Sequence, residues 1–184
     1  AGRHRVEHAQ VIAPPDFARF AALGVIASMQ PTHAISDMYW AEDRLGPERV
    51  RGAYAWRTLL RHGARLAFGS DFPVESPNPL LGFYAAVTRQ DAQGWPPGGW
   101  YPEERLTREE ALRAFTLGAA YAAFQEDELG SLAPGKYADF VVLSQDIMTI
   151  PPEEILQTQV LATFVGGQCM FHHEAAAGLC PKLP

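Results

Sequence analysis

Through the first hundred residues, short extended runs alternate with stretches at helical spacing. Residues 3–8, 25–30 and 65–70 read as strands, the last two almost wholly apolar. Between them, residues 14–23 place Phe17, Phe20 and Leu23 on one helical face, with Pro in the first turn and Gly24 as a stop. A short helix is predicted over 36–45. A longer one over 47–62 carries Val50, Tyr54, Leu59 and Leu60 on one side, and a third spans 79–89. Apolar strands alternating with helices are the pattern of a parallel sheet covered by helices, either open or closed into a barrel.

The segment 91–104 breaks the alternation, because Gly-Trp-Pro-Pro-Gly-Gly-Trp-Tyr-Pro suits neither helix nor central strand. It reads as a surface loop. Its Trp95, Trp100 and Tyr101 either cover a pocket as a lid or pack the loop onto its own protein. Thr107 followed by Glu110 forms a capping box that opens a helix to about Gln125. From Leu129 onward the pattern changes. Residues 138–143 form a strand, and 160–165 and 168–171 flank Gly166-Gly167 as a hairpin. The expected division is 1–128, 129–171 and a poorly ordered tail at 172–184.

Composition narrows the function classes. The chain has 184 residues and a formal net charge of −6, which disfavours a nucleic-acid partner. No apolar run approaches the roughly 20 residues of a membrane span, and no signal peptide is visible. Two cysteines, Cys169 and Cys180, suggest reduced thiols and a cytoplasmic setting.

Chemistry gathers at the C-terminal ends of parallel strands. His8, Gln30 with His33 just beyond it, and Asp71 all stand at those ends. A single His at a strand end is more often a satisfied structural group, and an Asp after a strand often caps the next loop. Together, neutral imidazole and carboxylate are ligands that suit Zn²⁺ and its first-row relatives. A cation-bound water deprotonates near neutral pH, and an adjacent Asp can carry that proton to a leaving amine.

Three segments then carry a resemblance: Arg5-Val6-Glu7-His8-Ala9-Gln10, Ser28-Met29-Gln30-Pro31-Thr32-His33, and Gly69-Ser70-Asp71-Phe72-Pro73-Val74. In order, they resemble strands six, seven and eight of the amidohydrolase superfamily, closest to the family 3 branch that includes N-substituted formamide deformylase-like enzymes. Leu106–Leu112 resembles the helix after the barrel, and Gly130–Leu132 with Pro134–Leu143 the return into a small flanking β-sandwich.

The resemblance implies the C-terminal part of an α/β (β/α)₈ barrel plus part of that sandwich. It implies a zinc-type hydrolase of non-peptide C–N bonds acting on a small amide, formamide or cyclic amide. His8 and Asp71 would be metal ligands, Asp71 also the proton shuttle, and His33 and Gln30 substrate contacts. The family's remaining ligands would precede Ala1, so the chain is expected to be an incomplete piece needing its N-terminal segment or a homo-oligomeric partner. Two other readings stay open: a non-catalytic remnant or binding module, and an α/β enzyme that uses Asp71 without metal.

Overall fold

The computed structural model describes residues 2–180. Three strands, β1 (Arg5–Glu7), β2 (Ile26–Met29) and β3 (Arg65–Phe68), form a parallel sheet in the order β1-β2-β3. Glu7 pairs with Ser28 and Met29 with Phe68, so the three strands end level with one another. Parallel neighbours need crossovers, and the helices supply them. Between β1 and β2 runs α1 (Phe17–Leu23), stopped by Gly24 in the left-handed conformation. Between β2 and β3 lie α2 (Pro31–Asp37), α3 (Ala41–Arg49) and α4 (Trp56–Arg61).

The helix predicted from Ser36 begins five residues earlier, because Pro31 at its first position is preset for a helix and lacks only an N–H that would be unpaired there. The helix predicted over 47–62 is broken. Val50–Gly52 is a 3₁₀ turn and Tyr54 has φ = 50°, so α4 starts only at Trp56. Gly52 explains the break, since a Cβ there would lie 2.0 Å from the Ile12 carbonyl oxygen. The chain is pulled onto the loop after β1 at that point.

After β3 come α5 (Pro79–Thr88) and the loop 91–104. Of the two readings for this loop's aromatics, packing onto the protein holds for two of the three. Trp100 is buried in the core and Tyr101 packs edge-on against it at 5.2 Å. Only Trp95 stays exposed, stacked on Tyr39 at 5.3 Å. The next helix opens with the predicted Thr107–Glu110 capping box but is not uniform. It runs as α6 (Arg108–Arg113), a π-helical turn (Ala114–Gly118) and α7 (Ala119–Ala122). Gly118 there lets the turn approach the Leu66 carbonyl of β3.

The expected antiparallel part is present as β4 (Phe140–Leu143), β5 (Val160–Val165) and β6 (Gln168–His172) in that order. Its connecting residues Ile147 and Ile155 join the same hydrophobic cluster as Trp56, Leu59 and Phe68. The expectations for the cysteines and the tail need correction. Residues 174–179 form a 3₁₀ turn, and a disulfide joins Cys180 to Cys169, with Cα atoms 5.7 Å apart. The turn folds the tail back over β6, a proximity that 11 residues of sequence separation do not reveal. The bond also removes the argument for a reducing compartment that rested on cysteine count. Residues 181–184, part of the same tail expectation, lie outside the described residues. No helix among the described residues is long and apolar enough to cross a membrane.

Candidate metal centre at the strand ends

Because the parallel strands end level, the residues just past them share one rim. His8 follows β1, Gln30 follows β2, and Asp71 follows β3 by three residues. α2 starts directly after Gln30, which sets His33 in its first turn, its N–H on the Gln30 carbonyl at 3.1 Å. His8, His33 and Asp71 converge, with one ligand atom from each within 4.8 Å of the others. The two imidazoles stack at 5.7 Å between centroids, and His33 Nε2 lies 3.7 Å from Asp71 Oδ2.

Backbone conformation marks the same residues. His8, Ala9 and Asp71 have φ of 69°, 42° and 58°. A non-glycine residue in this region costs about 1–3 kcal/mol and persists only where its surroundings hold it, commonly at functional sites. At His8 and Asp71 that conformation goes with side chains that meet at the shared point.

Each polar group has a definable role. Gln30 is 8% exposed and its Oε1 lies 3.0 Å from His8 Nδ1. An amide oxygen only accepts, so this hydrogen bond selects the tautomer with the proton on Nδ1, the one that leaves the Nε2 lone pair open. Gln30, expected as a substrate contact, therefore has its amide oxygen engaged by His8. His33 Nε2 is buried and has no hydrogen-bond partner among the described residues. A buried ring nitrogen without a partner is uncommon and marks a group that waits for a ligand.

The model of the amidohydrolase family matches residues 1–171. The chain belongs to the amidohydrolase family. It is 43% identical over 170 residues to Protein LONG AFTER FAR-RED 3 of Arabidopsis thaliana, covering 92% of this chain and 29% of that protein. It is 31% identical over 168 residues to the N-substituted formamide deformylase of Arthrobacter pascens, covering 89% of this chain and 30% of the relative. Among solved structures, an uncharacterized metal-dependent hydrolase from Pyrococcus horikoshii OT3 superposes with a TM-score of 0.70 at 32% identity, over 80% of this chain and 30% of that one. The chain thus spans under a third of the length of each of these three proteins.

The surroundings of this candidate site have no local signal in the sequence. α2 reaches across the mouth to both neighbouring loops. Ser36 Oγ donates to Glu75 Oε1 at 2.6 Å on the loop after β3. Gln10 Nε2, on the loop after β1, donates to Asp37 Oδ2 at 3.2 Å and to the Tyr54 hydroxyl at 3.1 Å, and that hydroxyl donates to Asp37. Gln10, Asp37 and Tyr54 are separated by 17 to 44 residues, so no local pattern joins them.

Proposed function

We propose that the complete protein is a metal-dependent hydrolase of a non-peptide C–N bond in a small amide-type substrate, and that His8, His33 and Asp71 are part of its active site. The convergence of these three side chains carries the reading. The donor set fits a divalent first-row cation such as Zn²⁺: two imidazoles and a carboxylate, with one imidazole nitrogen buried and unpartnered. When bound, such an ion polarises a carbonyl and acidifies water.

In this reading His8 and Asp71 hold the ion together with His33, which was expected from sequence as a substrate contact. Gln30 keeps the His8 ring in the tautomer that presents Nε2. Asp71, 37% exposed along its side chain, can accept a proton from the attacking water and deliver it to the departing nitrogen. His33 Nε2, without a hydrogen-bond partner among the described residues, faces the same point and is 3.7 Å from Asp71 Oδ2. The parallel sheet then belongs to the last three strands of a (β/α)₈ barrel, within residues 1–128. Residues 129–171 belong to a flanking β-sandwich. The name of the Arthrobacter pascens relative supports N-formyl amines as the first substrates to try.

The test uses the complete protein loaded with Zn²⁺ against a panel of N-formyl amines, N-acyl amines and cyclic amides. Asp71→Ala is expected to abolish turnover while leaving the circular dichroism spectrum unchanged. Full activity in that variant would rule out the proton role.

A further inference from the structure

The network behind the two histidines has a consequence for the ion they would hold. Gln10 lies two residues beyond His8, and Asp37 lies one helical turn beyond His33 on α2, on the same face. Tyr54 stands between them. Its hydroxyl donates to Asp37 and accepts from Gln10 Nε2, and its backbone N–H donates to the Gln10 carbonyl at 2.8 Å. The stitch extends along the chain, with Ile12 N–H on the Gly52 carbonyl at 2.9 Å and Val11 bridged to Ala53. Tyr54 is itself held from behind, its carbonyl accepting from Arg89 Nη1 at 2.9 Å. Like His8 and Asp71, it has a positive φ, so its placement is imposed by these contacts. Burial, then the hydrogen bond to Asp37, pushes its hydroxyl well above the usual phenol range and keeps it a donor.

From this geometry we infer that Tyr54, through Gln10 and Asp37, is a positioning residue that sets the separation of His8 and His33 and hence the affinity of the site for a divalent cation. The inference rests on the metal reading above. His8 sits on a short loop and His33 on a seven-residue helix. Neither element alone fixes the distance between the rings. The bond from Gln10 to Asp37 spans it, and the Tyr54 hydroxyl locks that bond to the body of the fold.

The experiment measures Zn²⁺ dissociation constants by chelator competition on the complete protein, as wild type, Tyr54→Phe and Asp37→Asn, with metal-free melting curves of each. Phenylalanine keeps the ring against Trp100 (5.8 Å) and removes only the hydroxyl. Asparagine keeps an oxygen that accepts from Tyr54 and Gln10. Tyr54→Phe is expected to bind Zn²⁺ about 10- to 100-fold more weakly, the usual effect of losing a group that orients a ligand. Its metal-free melting temperature stays within a few degrees of wild type, and Asp37→Asn stays close to wild-type affinity. Unchanged affinity in Tyr54→Phe overturns the inference. So does an affinity loss that comes only with collapse of the metal-free fold, or an equal loss in Asp37→Asn. Wild-type protein that binds no Zn²⁺ overturns the metal reading itself, a result distinct from any of these.

Discussion

Replacing Arg89 by methionine tests how a fully buried cation can stabilise this fold. The guanidinium has no exposed surface and no carboxylate at hydrogen-bonding distance among the described residues. Burial pulls it down to about 10, with Glu104 and Glu103 acting in the opposite sense, so it remains charged at neutral pH. That depression corresponds to a cost of about 3 kcal/mol. Against the cost stand Nε on the Trp100 carbonyl at 2.7 Å and Nη1 on the Tyr54 carbonyl at 2.9 Å. The ring faces of Trp56 and Trp100 also lie 4.4 and 4.9 Å from its central carbon.

Methionine matches the stem and relieves the charge. It also strands two buried carbonyls at about 1–3 kcal/mol each and forfeits two desolvated cation–π contacts of about 1–2 kcal/mol each. The losses outweigh the relief, by about 3 kcal/mol. Native-state hydrogen exchange is the assay, read at the Trp100 N–H, which bonds to the Arg89 carbonyl at 2.8 Å, and at the Tyr54 N–H. Both amides are expected to exchange about 100-fold faster, since each 1.4 kcal/mol is roughly tenfold. Arg89→Lys is expected to fail too, because an ammonium cannot bond both carbonyls in one plane or stack between two indoles. Wild-type exchange in Arg89→Met would refute the reasoning, showing that charge burial cancels everything the fork supplies.

Two further expectations follow from named contacts. Gln30→Leu removes the acceptor that fixes the His8 tautomer and is expected to weaken Zn²⁺ binding about 10- to 100-fold by chelator competition, whereas Gln30→Glu, which still accepts, is expected to bind no more weakly. Burial pushes the Glu110 carboxyl upward, but the Arg57 fork and the Thr107 backbone and side chain outweigh it and leave it below its ordinary value of 4.5. A depressed folded-state pKa contributes stability that is complete above the unfolded value and is lost as pH falls through the folded one. Denaturation curves from pH 6 to pH 3 are therefore expected to show a steeper acid loss for wild type than for Glu110→Gln, and identical slopes would rule out this carboxylate as a contributor.

The chain on its own determined the elements whose patterns are local. The strands that lead to His8, Gln30 and Asp71, the Thr107–Glu110 cap and the hairpin across Gly166-Gly167 all depend on neighbours within a few residues, where propensity and sequence period act directly. The candidate site was legible for the same reason, because parallel strands place the residues that follow them on one rim. What only the tertiary structure decided depends on contacts between distant segments. Gly52 meeting the Ile12 carbonyl broke the helix predicted through Tyr54. Folding of residues 174–179 onto β6 paired the cysteines, and Arg89, polar by composition, went to the centre of the core because Trp56 and Trp100 closed around it. The bracing of His8 and His33 by Gln10, Asp37 and Tyr54 is of the same kind. The side chains of that trio bond one another only across distant segments, so the arrangement exists only once the sheet has brought two loops and the end of α2 together.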